Sequence, residues 1–74
     1  MLSDLSRLHP GESGVPVEIS PSPLRRKLLE LGFLSGDRIT LLTAAPLGEM
    51  RAYALGDTMI ALRQRDAKWI RILV

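Results

Sequence analysis

The side chains that could do chemistry in this 74-residue chain are few and far apart. His9 is the single histidine, set beside Pro10-Gly11 in a polar stretch. It could act as a base or a lone ligand, but no Cys or second His accompanies it, and a tight transition-metal site needs such a cluster. It reads as an ordinary surface histidine. The absence of cysteine removes disulfides, thiolate ligands and a thiol nucleophile. The carboxylates Asp4, Glu12, Glu18, Glu30, Asp37, Glu49, Asp57 and Asp66 are scattered along the chain. Asp37 and Asp57 each follow a glycine, where Asp favours turn geometry; a weak oxygen site for a hard cation is the lesser reading. The glycines fall in separate turns and form no phosphate loop. Catalysis needs groups within hydrogen-bond reach of one another, and this pattern supplies none, so no catalytic residue, cofactor-binding residue or metal ligand is assigned. A binding module is expected rather than an enzyme.

Two segments stand out for binding. Arg25-Arg26-Lys27 is the one cationic cluster. It suits a phosphate, a lipid headgroup or an acidic protein surface; the plainer reading is a solvated helix face near the positive end of the helix dipole, where cations are slightly unfavourable. Pro46-Leu47-Gly48-Glu49-Met50 places Leu47 and Met50 in or beside a turn, either capping a barrel end or forming a partner-contact loop. The three aromatic residues, Phe33, Tyr53 and Trp69, lie in separate segments and give no surface for stacking bases.

These segments need a frame. Val15, Val17 and Ile19 alternate with Pro16 and Glu18, which predicts a short strand, at an edge or bulged where Pro16 lacks a donor. Pro21-Ser22-Pro23 ends it and opens a helix of about nine residues, with Ser22 as N-cap and Pro23 in the first turn. Leu24, Leu28 and Leu31 form its apolar stripe, Arg26 and Glu30 can pair across one turn, Gly32 ends it, and Phe33 folds back onto Leu28. After the turn at Ser35-Gly36-Asp37, strands are expected at Arg38 to Ala45, Met50 to Leu55, Thr58 to Arg63 and Trp69 to Leu73. Gln64 to Lys68 is a polar link with room for one helical turn, and Ile70 and Ile72 share a face of the last strand. Five short strands with turns between them point to a mainly β fold, a small SH3-like antiparallel barrel with one short helix after the first strand.

Length allows one domain, spanning residues 1–74. An apolar content of 46% is ample for a core, and the net charge of +2 is too small for a strong nucleic-acid field. The first ten residues carry Asp4 and no apolar run before Arg7, so they do not read as a signal peptide, and no stretch approaches the roughly 20 apolar residues of a membrane span. A cytoplasmic chain is expected, meeting a membrane only through a partner.

Taken in order, the segments resemble the FeoA family, small cytosolic companions of the bacterial ferrous-iron transporter FeoB. Residues Arg26 to Asp37 are similar to its R-x-L-L-E-L-G-(M/L/F)-x-P-G stretch, and Pro46-Leu47-Gly48-Glu49 to its P-L-G-D/E loop. Ile60 to Arg63, with Asp66, Ala67 and Ile70, follow its closing L-x-L-R-x-x-(E/D)-A-x-x-I pattern, and Leu5, Leu8, Gly11 and Glu12 its opening L-x-x-L-x-x-G-E. Ser35 and Met50 stand where the family commonly has proline. The resemblance implies an SH3-like barrel with an inserted helix and an accessory or regulatory role in ferrous-iron uptake. The partner it implies is the cytoplasmic portion of FeoB, which includes a nucleotide-binding G domain. No cofactor and no nucleic-acid partner are expected, and weak self-association stays open. Candidate partner contacts are Arg25, Arg26, Lys27 and Glu30 on the helix, and Leu47, Glu49 and Met50 on the loop. The alternative is an interaction module related to the C-terminal barrel of metal-dependent repressors of the diphtheria-toxin-repressor type. An RNA-binding barrel ranks below both.

Overall fold

The alternation of apolar and polar residues from Ile39 onward is what a half-buried antiparallel sheet requires, and the computed structural model, which describes residues 1–47 and 49–74, shows that sheet. Its strands are β1 (Leu2–Asp4), β2 (Ser13–Ile19), β3 (Ile39–Ala44), β4 (Met50–Leu55), β5 (Thr58–Arg63) and β6 (Ile70–Leu73). Two short helices, α1 (Arg25–Glu30) and α2 (Gln64–Ala67), and a 3-10 turn at Leu5–Arg7 complete the chain. All pairings are antiparallel, in the order β1-β6-β2-β3-β4-β5. The result is the expected mainly β, SH3-like barrel, with six strands among the described residues rather than five. The added strand is β1, whose three residues pair with the far end of the chain, Leu2 with Leu73 and Asp4 with Arg71. So short a segment carries no period of its own.

β2 turns the corner of the barrel. Ser13 and Gly14 pair with β3, whereas Val15 to Ile19 pair with β6. Gly14 is what allows the corner: a Cβ there would lie 3.0 Å from the Leu73 carbonyl oxygen and 3.1 Å from Ile72 Cδ1. Pro16 sits at a bulge, the register shifting between Pro16 and Glu18. Of the two places expected for it, edge or bulge, the structure uses the bulge, because β2 is flanked by β3 and β6. The extra residue also flips the side-chain parity. Pro16 points inward before the bulge and Ile19 after it, which leaves Val17 exposed on the side opposite to the one its alternation predicts.

The barrel closes on Phe33, Ile39, Leu41, Tyr53, Ile70 and Ile72, all fully buried. β4 and β5 have the predicted limits and are joined at Gly56-Asp57, where Gly56 adopts φ +56°. α1 differs from expectation. It has six residues, begins after Leu24, and Ser22 does not cap it. The Ser22 carbonyl accepts from Arg25 N at 3.2 Å, while its hydroxyl is buried with no partner among the described residues. The two flanking prolines shape a turn there before the helix can start. The C-terminus is as predicted: Gly32 takes φ +91° and Phe33 N donates to Leu28 O at 3.2 Å. Leu28 is buried and Leu24 packs against the core, but Leu31, beyond the last turn, is exposed.

Candidate functional site

α1 presents its cationic face to solvent: Arg25, Arg26, Lys27 and Glu30 are all exposed. Arg25 is partly committed, because its Nε donates to Ile19 O at 3.1 Å and ties the helix to the end of β2. Among the described residues, Arg26, Lys27 and Glu30 enter no ion pair, so the Arg26–Glu30 pairing expected from their spacing is not formed. The first turn of α1 holds cations and no acid. Its N–H dipoles therefore leave that charge unneutralised and available to an anionic surface.

The connection from β3 to β4 carries the other candidates. Leu47 is 90% exposed, so it does not cap the barrel. Gly48, the third residue of the predicted turn, lies outside the described residues. Glu49 is exposed, and its carbonyl accepts from Gln64 N at 2.9 Å. Met50 is 43% exposed, and its carbonyl accepts from Ala45 N at 2.8 Å. The backbone of the connection is therefore pinned at both strands while its apolar side chains face outward.

The fold unites helix and loop only in part. Lys27 and Met50 border one groove of about 220 Å³ between α1 and β5, floored by Leu24, Leu28, Ile60 and Leu62. Leu47 and Glu49 instead border a depression of about 240 Å³ against Arg63, Arg65 and Lys68 of the α2 region. Those three cations were missed in the sequence because they are not contiguous; the i, i+3 spacing of Arg65 and Lys68 on one helical turn was the available signal.

Arg51 is the other residue not foreseen. It is 7% exposed, and its guanidinium donates to Ser6 O at 2.6 Å, to Leu8 O, and to Leu5 O at 3.4 Å. It also lies 5.9 Å from the Tyr53 ring centre. Burial pushes the Tyr53 phenol above its ordinary value, partly offset by the Arg51 charge. These contacts anchor the N-terminal segment and serve structure. Burial alone would raise the Asp4 carboxyl, but hydrogen bonds from Ser6 Oγ, Arg7 and Ser6 N outweigh it and leave Asp4 lowered. His9 is exposed, as expected, and closes a turn with Glu12: His9 N donates to Glu12 Oε1 at 2.7 Å and His9 Nδ1 lies 3.0 Å from it. Those two contacts lower the Glu12 carboxyl, the backbone one most. The Asp37 carboxylate accepts from Ser35 Oγ at 3.3 Å beside the Gly56 turn, which is the turn duty expected of it. Among the described residues, no three His, Cys, Asp or Glu side chains gather as metal ligands would. No helix among them is long and apolar enough to cross a membrane. Chemically the surface offers a cation-rimmed apolar groove and exposed apolar loop side chains, which are means of binding.

The family model for the FeoA domain matches residues 4–74. A curated relative from Porphyromonas gingivalis, an Fe(2+) transport protein A/Fe(2+) transporter FeoB fusion protein, is 36% identical over 69 residues, covering 92% of this chain but only 8% of that protein. Among solved structures, the FeoA protein from Chlorobium tepidum superposes with TM-score 0.85 at 28% identity, over 97% of this chain and 71% of that one. FeoA from Stenotrophomonas maltophilia, complexed with zinc and described as a prokaryotic SH3 domain protein, gives 0.80 at 30% identity, over 92% and 86%. A manganese-dependent transcriptional repressor gives 0.83 at 19% identity over 97% of this chain and 41% of that one, a likeness of fold alone.

Proposed function

This chain belongs to the FeoA domain family, whose members take part in ferrous-iron transport, and from that premise we propose that it is a cytoplasmic accessory protein that docks on the cytoplasmic portion of a FeoB-type transporter. The observation that carries the proposal is the P. gingivalis fusion, in which a segment 36% identical to this chain is part of the same polypeptide as a FeoB transporter. Joining two modules in one chain raises their effective concentration, which benefits modules that meet anyway. The contact surface is Arg25, Arg26, Lys27 and Glu30 of α1 with Leu47, Glu49 and Met50 of the loop, all exposed. Docking would bias the transporter's conformation or nucleotide cycle to the extent that it favours one state over another.

The test is a titration of this protein against the soluble cytoplasmic portion of the FeoB-type transporter from the same genome, in nucleotide-free, GDP and GTP-analogue forms. Saturable binding is expected, with Arg26→Glu and Met50→Asp each weakening it about tenfold, or roughly 1.4 kcal/mol. An absence of binding in all three forms, and to the intact transporter in detergent, rejects the proposal.

A further inference from the structure

Among the described residues, β5 is the last strand of the sheet and pairs only with β4. In an antiparallel ladder, alternate residues turn both backbone groups toward the partner strand and the others turn both away. The hydrogen bonds of the β4–β5 ladder fix which is which. Gln64 N donates to Glu49 O at 2.9 Å, and Arg51–Leu62 and Tyr53–Ile60 follow at two-residue steps along the same ladder. Ile60 and Leu62 are therefore bonded to β4. Met59 and Ala61 point N–H and C=O away from the sheet, and Arg63 points its N–H the same way. No backbone partner meets these groups among the described residues.

Free strand edges are normally guarded by proline, lysine, a bulge or brevity. The other edge, β1, is three residues long and carries the Asp4–Arg7 ion pair. β5 runs six residues in unbroken register, with Met59 73% exposed and its only charge at the end, Arg63. The apolar groove between β5 and α1 lies along the same strand. An edge with free amides and a pocket for alternate side chains are the two requirements of recognition by strand addition.

We propose that β5 is the docking edge for an extended segment of the FeoB-type transporter's cytoplasmic portion, which adds as a seventh strand between β5 and α1. Alternate apolar side chains of the guest enter the groove over Leu28, Ile60 and Leu62. Lys27 and Arg63 at the rim outnumber the one carboxylate there, Asp66, so the guest carries an acidic residue beside its apolar ones. The inference rests on the transporter reading above, and extends it from the α1 and loop side chains to the backbone edge of β5 that lies beside them.

Amide hydrogen exchange on the intact protein, with and without the soluble FeoB cytoplasmic portion, is the deciding experiment. Saturating partner should slow exchange at Met59, Ala61 and Arg63 by about tenfold or more, while Ile60 and Leu62, already bonded to β4, change less. Ala61→Pro removes one outward N–H and none of the β4 ladder bonds, a substitution that edge strands accept. It should retain the fold by its amide spectrum and weaken binding at least about tenfold. Binding with the three amides unprotected, and with Ala61→Pro at wild-type affinity, overturns the edge and leaves the transporter reading standing. No binding in any nucleotide state overturns both. Protection that appears without partner and grows with protein concentration assigns the edge to a second copy of this chain and also overturns the proposal.

Discussion

Three carbonyls of the N-terminal segment, those of Leu5, Ser6 and Leu8, converge on the guanidinium of Arg51. A residue on a strand reads in sequence as one more outward polar position, and Arg51 sits between apolar neighbours that give no hint of its burial. Only the tertiary arrangement, with Leu5 and Leu8 packed into the core, brings acceptors to it. Arg51→Ala leaves those carbonyls without their donor and should cost about 3 kcal/mol, lowering the melting temperature by roughly 15 °C for a domain this small. Chemical denaturation of the variant measures it, and a loss within experimental error of zero would show that water replaces the guanidinium. Its neighbour Tyr53 gives a spectroscopic check of the same cluster, being the chain's only tyrosine. Burial raises the phenol above its ordinary value of 10.0. The folded value exceeds the unfolded one, so the contribution to stability is fully present below about pH 10 and is lost as pH rises through the folded value. Phenolate absorbance should appear at higher pH in the native protein than in denaturant; coincident titrations would mean that Tyr53 is solvated.

At the scale of elements, the strands from Ile39 onward were legible because one face of each is buried and the alternation survives folding. α1 was legible in type but not in length. The Leu24–Leu28–Leu31 stripe and the Gly32 stop located it, while the capping rule misplaced its start. Ser22 is a favourable N-cap by residue type, yet Pro21 and Pro23 hold it in a turn that turns its hydroxyl inward. The two readings predict opposite signs. A capping serine replaced by alanine destabilises by about 1 kcal/mol. A buried hydroxyl without a partner replaced by alanine should instead stabilise, by about 1 kcal/mol, because its desolvation is no longer uncompensated. The structure predicts that Ser22→Ala raises the denaturation midpoint, and a fall would restore the capping role. Gly14 makes the complementary case at the barrel corner. Its required smallness was hidden in the sequence because the crowding atoms belong to Ile72, Leu73 and Val74, some sixty residues away. Gly14→Ala places a methyl 3.0 Å from a backbone oxygen that cannot rotate aside, and should destabilise by about 1–3 kcal/mol. A neutral result would mean that β6 shifts freely at its end.

At the scale of the molecule, the barrel depends on pairing the first strand with the last. Leu2 faces Leu73, the terminal ammonium of Met1 donates to Val74 O at 3.1 Å, and Val74 N donates to Met1 O at 2.9 Å. Composition and periodicity are local quantities and cannot register a contact of that separation, which is why the sixth strand went unread while the fold class did not. The candidate surface divides along the same line. Its cationic helix and apolar loop were visible as residue types, whereas the unguarded β5 edge exists only once the strand order is known. Because the chain ends already lie in hydrogen-bond contact, joining them should cost little, and breaking an exposed loop should cost little as well. A permuted chain that links Val74 to Met1 through a short Gly/Ser bridge and opens between Pro46 and Leu47 is expected to fold to the same barrel, within about 2 kcal/mol of the parent. Its amide spectrum and denaturation curve test this directly. The permutant also tests the loop's part in docking, since it frees Leu47 and Glu49 from a closed loop but leaves β5 and α1 intact. Retained affinity for the FeoB cytoplasmic portion would show that a closed loop around Leu47 and Glu49 is dispensable for docking, and lost affinity with an intact barrel would show that it is required.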